Sequence, residues 1–448
     1  MKRPHLLYIA FWYPPSRASG VYRAIATSQA FVAHGWDVTV ITTTTDFLED
    51  EVGSTDDTLD GDGPAGVEVV RVPFTLSLPS DIDIRQLGWA RANYPTIWKS
   101  LRSRSEPLRR AMSLIKGQSD QAHQLTDNYV SWIDPVVKTG IAAERVHPVD
   151  HILATGNPFS SFEVARILGG ILGKGFSIDY RDPWTVDVFS GHLDHADRMT
   201  TEAERRIISE SEACFHVNEA IANAYRLKFP EHATKHLVVP NGFDQTSVPP
   251  PSGPSRGPLR FGILGTMNDR WPMGPIFEAW GRLRDKLPSG SEMVLGGHLG
   301  YFERSQNSLE AYLPEESSGF QYVGPVAKEK VADFYDHIDV VILPVAGGAM
   351  VTSGKIYEAM ALGKPFVCVQ RTDGGARALA AGHPLGFGAE PEVTSVEFAL
   401  LDAARAARQL DSELSQRIQQ EAKPCQRSLA IQGLVDSVAQ STFGSLRV

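Results

Sequence analysis

Short apolar runs alternate with segments of helical periodicity along most of the chain. Residues 5–12 form an apolar and aromatic run without helical spacing, which is typical of a buried strand. Apolar residues then recur at helical spacing from Val21 to Val32, and Gly35 is placed where a C′ glycine ends a helix. Residues 36–42 alternate and are rich in β-branched side chains, which predicts a second strand. The chain therefore opens with a βαβ unit.

The same alternation of strand and helix continues to the end of the chain. Strands are predicted at residues 151–154, 176–178, 214–217, 237–239, 259–264, 292–295, 340–343 and 366–369, and helices at 276–287, at 356–362 and over the last fifty residues. Strands that alternate with helices indicate parallel sheets covered on both faces. The predicted fold class is α/β with Rossmann-like domains.

A proline-rich stretch at residues 248–254, preceded by the turn signal Asn241-Gly242, marks a domain boundary. We predict an N-terminal domain over residues 1–243 with a helical insertion at about 75–145, and a second domain over 244–424. Residues 425–448 are predicted as a helix that crosses back to the first domain. Ligands of such sheets bind at the carboxyl ends of the strands, so a cleft between the domains is the expected active site.

The composition excludes several classes of protein and of partner. The 448 residues are 42% hydrophobic, enough for full cores, and the net charge of -10 argues against a nucleic-acid partner. The three cysteines lie far apart, and this pattern indicates neither a disulfide framework nor a zinc module. The N-terminal apolar run is too short for a signal peptide, and no eighteen-residue uncharged stretch exists. A cytoplasmic location is expected.

The segment 347–365 is the strongest chemical signal. A glycine-rich loop with two hydroxyl side chains leads into a helix, so amides and the positive helix end point at one place, as in an anion site. Lys355 adds a cation that the helix dipole does not favour, and Glu358 lies one turn further on. The alternative is an ordinary helix start with solvated side chains. A Walker A loop is excluded because Ile356 stands where a Mg²⁺-binding Ser or Thr is required.

Residues 355–365, with the sequence KIYEAMALGKP, resemble the donor-binding helix of GT-B glycosyltransferases of the large retaining family 4. Other segments resemble the same family in the same order along the chain. They are the loop, helix and strand from Pro14 to Val40, the RDxW turn at 181–184, the PNGxD junction at 240–244, and strand ends at 261–265 and 322–325. The resemblance covers nearly the whole chain.

The resemblance implies a GT-B fold with donor binding in the C-terminal domain and acceptor binding in the N-terminal domain. Glu358 would hold the ribose of a nucleoside-diphosphate sugar, and Lys355 with the amides of 352–354 would hold the diphosphate. The full implied donor set is Gly20, Gly265, Arg270, Gly324, Thr352, Ser353, Gly354, Lys355 and Glu358. Two departures bear on the sugar: Met350 stands where the family often has Glu, and Met273 where it often has Lys.

The N-terminal domain supplies the acceptor-side candidates. Arg181 and Asp182 follow a predicted strand, and Arg181 occupies the register where the family often has a His beside the reacting carbon. Asp182 could orient the acceptor hydroxyl, with Asp179 as its alternative, and an Asp–Arg pair in this turn could instead be structural. Arg23 and Asn157 are further acceptor-side candidates, although Arg23 could be a salt-bridging surface residue. The predicted catalytic residues are thus Asp182, Arg181 and Lys355.

No metal site and no cofactor are predicted. The Asp60-Gly61-Asp62 and Asp81-Ile82-Asp83 triplets do not directly follow a buried strand, and we interpret both as solvated. The cluster at 192–195 lacks further ligands at zinc-like spacing. A basic aromatic stretch at residues 89–110 could rest on an anionic membrane, but an amphipathic helix packed inward is the favoured interpretation.

The sequence hypothesis is a metal-independent retaining glycosyltransferase that moves a sugar from a nucleoside diphosphate to a hydroxyl or amine of a small molecule, glycan or lipid. Two alternatives stay open. One is another GT-B enzyme, a nucleotide-sugar epimerase or a phosphorylase. The other is a nucleotide-sugar binding protein without catalysis, which stays open because Met350 stands where the family often has Glu.

Overall fold

The computed structural model describes residues 3–16, 18, 20–48, 55–56, 59, 61, 63–73, 123, 127, 129–193, 195–300 and 309–444. The predicted basic aromatic stretch, most of the predicted helical insertion and both acidic triplets except Gly61 lie outside these residues. The chain divides into two compact units. Unit 1 comprises Met1–Asp187, His192–Val239 and Ile431–Val448, and unit 2 comprises Val188–Gly191 and Pro240–Ala430.

Among the described residues, unit 1 contains a seven-stranded sheet in the order β3-β2-β1-β4-β5-β6-β7, and every pair in it is parallel. Its strands are β1 His5–Ile9, β2 Asp37–Thr43, β3 Val67–Val72, β4 His151–Gly156, β5 Phe176–Tyr180, β6 Cys214–His216 and β7 His236–Val238. Its helices are α1 Val21–Ala33, α2 Ile133–Val146, α3 Ser160–Leu172, α4 Arg198–Glu210, α5 Glu219–Lys228 and, at the C-terminus, α13 Gln432–Phe443.

Unit 2 contains a six-stranded parallel sheet among the described residues, in the order β10-β9-β8-β11-β12-β13. Its strands are β8 Arg260–Leu264, β9 Glu292–Gly296, β10 Phe320–Gly324, β11 Val340–Pro344, β12 Phe366–Val369 and β13 Gly386–Ala389. Its helices are α6 Met273–Leu283, α7 Val331–Asp336, α8 Ser353–Ala361, α9 Gly375–Ala381, α10 Val393–Gln409, α11 Ser412–Glu421 and α12 Arg427–Ala430. The predicted α/β fold class with two Rossmann-like sheets is confirmed.

The central strands are apolar on both faces because helices cover both sides of each sheet. All five residues of β1 and all five of β11 are buried. In unit 1, the C-terminal helix α13 buries Leu434 and Val438 in the same cluster as Phe31 of α1. In unit 2, Trp280 of α6 packs in one cluster with residues of α10 and the sheet.

Two edge strands, β3 and β13, are absent from the strands predicted from the sequence. β3 is half-exposed along most of its length, and β13 consists of two glycines, a phenylalanine and an alanine. An edge strand is paired on one side only and needs no continuous apolar run, so neither strand stands out in the sequence. Helix α6 begins at Met273 and α8 at Ser353, each three residues before the predicted start.

Two buried histidines lie side by side at the end of the unit 1 sheet. Nε2 of His216 on β6 is 2.8 Å from Nδ1 of His236 on β7, and both residues are at most 1% exposed. Burial lowers the pKa of His236 to about 4 and that of His216 well below its ordinary value. Burial also lowers the pKa of His151 on β4 to about 3. Unit 1 therefore folds around neutral imidazoles.

We predict that acid destabilises unit 1 below pH 6.5. A histidine whose pKa is lowered in the folded state binds protons more readily when the chain is unfolded, so its stabilising contribution is complete above pH 6.5 and is lost as the pH falls toward 4. Each such group contributes a slope of at most about 1.4 kcal/mol per pH unit. Calorimetric unfolding from pH 7.5 to 4.5 measures this slope. His236→Gln should reduce it, and an unchanged slope in that variant would contradict the prediction.

Candidate functional site

Helix α8 of unit 2 begins directly after a loop at the carboxyl end of β11. Its first residue, Ser353, has a φ of 40°, a left-handed conformation that a non-glycine residue adopts at a cost of about 1–3 kcal/mol. A Cβ placed on Gly354 would meet no heavy atom within 4 Å, and Gly354 is exposed. The first amides of a helix lack acceptors within the helix. The start of α8 is therefore open at Gly354, while the amide of Lys355 donates to Ser353 Oγ at 3.3 Å. The anion site stays a prediction.

Gln370, buried directly after β12, holds the loop that precedes α8. Its Nε2 donates to the carbonyl oxygens of Gly347 at 3.1 Å and Val351 at 3.0 Å, and its Oε1 accepts from the amide of Arg377. A Cβ on Gly375 would lie 2.4 Å from the carbonyl oxygen of Ala349. Hydrogen bonds from the Gln370 side chain and close backbone packing at Gly375 thus stabilise the loop conformation. The sequence pattern indicates neither contact.

Lys355 and Glu358 form an ion pair on the first turns of α8. Lys355 Nζ donates to Glu358 Oε1 at 2.7 Å, and the buried Tyr335 hydroxyl donates to the same oxygen at 2.7 Å. Burial and the charge of Glu358 raise the pKa of Tyr335 well above its ordinary value, so it stays a donor. Among the described residues, Glu358 Oε2 has no hydrogen-bond partner and Nζ of Lys355 has no other. Within the described structure, Glu358 Oε2 is therefore still able to accept a hydrogen bond, and Lys355 Nζ is still able to donate further ones.

The other predicted donor residues of unit 2 lie mostly at the same edge of its sheet. Gly265 follows β8 with a φ of 151°, and Gly324 ends β10 with a φ of 76°. Thr352 is 8% exposed directly before α8. Arg270 lies in the exposed loop after β8, with its guanidinium carbon 4.5 Å from the ring centroid of Phe189. Met273, at the position where the family resemblance implies a lysine, is 1% exposed in the core.

Two charged residues of the family motifs are structural. Lys364 is 4% exposed, and its Nζ donates to the carbonyl oxygens of Tyr335, Asp336 and Ile338 at 2.7–3.0 Å, at the C-terminal end of α7. Asp244 of the PNGxD junction accepts from Arg427 at 3.0 Å and lies 3.2 Å from Lys328 Nζ. Burial alone would raise the pKa of Asp244, but the charges of Arg427 and Lys328 outweigh it and lower the pKa.

In unit 1, Arg23 and Asp179 form a buried bidentate pair. Arg23 Nε and Nη2 donate to the two Asp179 oxygens at 2.8 and 2.7 Å, and Nη1 donates to the Val239 carbonyl oxygen at 3.0 Å. The two residues are 2% and 0% exposed. The acceptor-side roles of Arg23 and Asp179 stay predictions, and the structure gives each side chain a protein partner. Each side chain is occupied by the other, so the pair joins α1 to β5, and Arg23 is not a surface residue.

Arg181 has a different environment from Arg23. Its Nε donates to the Gly156 carbonyl oxygen at 2.7 Å and its Nη2 to that of Asn157 at 2.6 Å. Gly20, before α1, lies against the guanidinium, because a Cβ there would be 1.1 Å from Nη1. Three predicted residues, Gly20, Asn157 and Arg181, are thus brought together, whereas Asp182 is exposed and makes no hydrogen bond to a described residue.

A buried polar network supports the turn that carries Arg181. Glu204 of α4 is fully buried and accepts from the hydroxyls of Tyr180 at 2.9 Å, Tyr225 at 2.8 Å and Thr185. The Tyr225 hydroxyl also accepts from the amide of Trp184 at 2.8 Å. The Trp184 ring stacks on Phe159 with centroids 5.1 Å apart. Sequence reasoning missed Glu204, since nothing in the periodicity of α4 distinguishes it from a surface glutamate.

A family model matches the part of the chain that contains α8. Residues 259–401 match the family model of glycosyl transferases group 1. The match runs from the start of the unit 2 sheet into α10 and includes every unit 2 candidate residue. No curated protein sequence matches the chain.

Solved structures resemble the whole chain. A glycosyltransferase from Rickettsia africae has a TM-score of 0.66 at 11% identity, covering 99% of this chain and 100% of that one. The Anabaena protein HepE in complex with UDP has a TM-score of 0.62 at 15% identity (98% and 100% covered). Sucrose-phosphate synthase from Thermosynechococcus elongatus has a TM-score of 0.65 at 13% identity (99% and 100% covered). At these identities the likeness shows the fold, which is that of the GT-B glycosyltransferases.

The described residues contain neither a cluster of metal ligands nor a helix that could span a membrane. No group of three or more His, Cys, Asp or Glu residues is arranged there to hold a metal ion. No described helix is both long enough and apolar enough to cross a bilayer. In the cluster at 192–195, Asp194 lies outside the described residues.

We predict effects of different size on stability when the two lysines at the ends of the motif are removed. Lys364→Ala leaves three carbonyl oxygens without their buried donor and should cost about 3 kcal/mol of unfolding free energy. Lys355→Ala removes a side chain that is 33% exposed and should change stability by less than about 1 kcal/mol. Denaturant unfolding of both variants measures the contrast. Equal losses would contradict the structural assignment of Lys364.

Proposed function

We propose that the protein is a glycosyltransferase that moves a sugar from a nucleoside-diphosphate donor to an acceptor hydroxyl or amine. The observation that supports this most strongly is the start of α8. There, helix amides without an acceptor inside the helix, a lysine bonded only to Glu358 among the described residues, and a glutamate with one oxygen unbonded among them lie within two helical turns. The group 1 glycosyltransferase match includes this helix. A UDP complex of the structurally similar HepE supports a nucleotide ligand.

Each part of this arrangement fits one part of such a donor. Glu358 is anchored through Oε1 by Lys355 and Tyr335, so Oε2 is free to accept from vicinal ribose hydroxyls. The amides at 352–354 and the positive end of α8 suit a diphosphate. Gly265 and Gly324, at the ends of β8 and β10, lack side chains that would obstruct a ligand at the same edge.

The proposed reaction develops negative charge next to these hydrogen-bond donors. Cleavage of a sugar–phosphate bond leaves negative charge on the departing nucleoside diphosphate. Preorganised amides and an ammonium group stabilise that charge in the transition state without having to reorient. We propose that Lys355 and the α8 amides do this without a metal ion. In unit 1, the exposed carboxylate of Asp182 is the proposed group that orients the acceptor.

We predict that Lys355→Ala and Glu358→Ala each weaken binding of a UDP-sugar at least about tenfold, because each removes charge-assisted hydrogen bonds worth about 1.4 kcal/mol or more. Calorimetric titration with UDP-, GDP-, ADP- and dTDP-sugars measures the affinities and identifies the base. Lys330→Ala is the matched control, since Lys330 is an exposed lysine of the same unit, paired with Asp333. Wild-type affinity in both site variants would refute the donor assignment.

We further predict transfer with retention at the anomeric carbon and without a requirement for divalent metal. With the donor found by titration, NMR of the product formed in the presence of EDTA should show the anomeric configuration of the donor. Loss of activity on chelation would refute metal independence, and an inverted product would refute retention. Formation of a sugar epimer without an acceptor would instead support the epimerase alternative, and binding without turnover the non-catalytic one.

A further inference from the structure

Arg181 is a partly buried cation without a carboxylate partner among the described residues. Its two hydrogen bonds go to carbonyl oxygens, those of Gly156 and Asn157. Neutral acceptors orient a guanidinium but do not neutralise it. Burial lowers the pKa of Arg181, but a guanidinium stays protonated in proteins. The first unit therefore holds, at the carboxyl edge of its sheet, a guanidinium that no described carboxylate contacts directly.

The charges of Asp182 and Asp179 act on Arg181, but neither carboxylate forms an ion pair with it in the described structure. Asp179, two residues earlier, is fully occupied by the bidentate contact with Arg23. Asp182, the next residue, is exposed and forms neither an ion pair nor a hydrogen bond with Arg181 in the described structure. Both oxygens of the one buried carboxylate, Asp179, accept hydrogen bonds from Arg23, so neither is bonded to Arg181.

The guanidinium is held in a fixed position with donors still free. Gly20 packs directly on it, since a Cβ would lie 1.1 Å from Nη1, and the 13-residue helix α1 begins at the next residue. Within the described residues Nη1 has no hydrogen-bond partner, and Nη2 uses only one of its two hydrogens. A second unpaired group is close by: the Tyr8 hydroxyl is fully buried without a partner, and the charge of Arg181 acts on its titration.

We propose that Arg181, seated on Gly20, binds a carboxylate or phosphate group of a substrate at the carboxyl edge of unit 1. A planar guanidinium with free donors recognises either group through charge-assisted, often bidentate hydrogen bonds. The assignment of this anion to a substrate of sugar transfer rests on the function proposed above. The anion belongs either to the acceptor or to the donor, as a sugar carboxylate or the diphosphate.

The first experiment tests the anion site without requiring catalysis. Inorganic phosphate is titrated calorimetrically into Lys355→Ala, which weakens the proposed unit 2 site, and into the double variant Lys355→Ala/Arg181→Gln. We expect the second substitution to weaken phosphate binding at least fivefold. Equal phosphate affinity in the two proteins would overturn the proposal, whether or not the protein transfers sugars.

Two glycine variants separate the site from general destabilisation. Gly20→Ala in the Lys355→Ala background should weaken phosphate binding as Arg181→Gln does, because the added methyl group displaces the guanidinium. Gly170→Ala is the matched control: Gly170 is an exposed residue of α3 in the same unit, and a Cβ there meets no heavy atom within 4 Å. Equal effects of the two substitutions, with both proteins folded by circular dichroism, would count against Arg181 as the binding group.

A second set of titrations, in the wild-type background, identifies the source of the anion. Preference for glucose 6-phosphate or glucuronate over glucose, lost in Arg181→Gln, assigns the anion to the acceptor. Preference for UDP-glucuronate over UDP-glucose, or a tenfold loss of UDP affinity in the same variant, assigns it to the donor. If every affinity in the set is unchanged by Arg181→Gln, the substrate role is wrong. Failure of UDP-, GDP-, ADP- and dTDP-sugars alike to bind wild type would refute the proposed function, while phosphate binding by Arg181 would stand.

Discussion

Parallel pairing of the strands is the constraint on which the candidate sites depend. In each unit every strand pair is parallel, so the loops that follow the strands emerge at one edge of the sheet. Residues far apart in sequence, such as Gly20 and Arg181, meet for this reason. The central strands must then be buried on both faces, which explains why they are short apolar runs.

The charged side chains fall into two groups that the same physical argument separates. Arg23 and Lys364 are almost fully buried. Arg23 donates to the Asp179 carboxylate and one carbonyl oxygen, and Lys364 donates to three carbonyl oxygens. Both side chains therefore stabilise the fold. Lys355 and Arg181 are partly exposed, and each keeps unused donors after its contacts with the described residues. A cation with unused donors beside a strand end is available to a ligand, and this difference, rather than the presence of charge, marks the sites.

The sequence predicted much of the fold because local patterns carry it. The central strands and the helices after them follow from apolar runs and periodicity, and the start of α8 follows from the glycine-rich loop before it. The edge strands β3 and β13 were not predicted, because one-sided pairing leaves no continuous apolar run. Gln370 and Glu204 were not predicted either, since each acts on a loop distant in sequence.

By itself the sequence determined the α/β class, the helix that begins at a candidate anion site, and the resemblance to GT-B glycosyltransferases. Only the tertiary structure decided which charges are free. It paired Asp179 with Arg23 instead of Arg181, buried Lys364 among carbonyl oxygens, and left Glu358 with one open oxygen. The physical reason is that a charge is neutralised by whatever group the folded chain brings within hydrogen-bond distance, and local sequence patterns do not encode these long-range contacts.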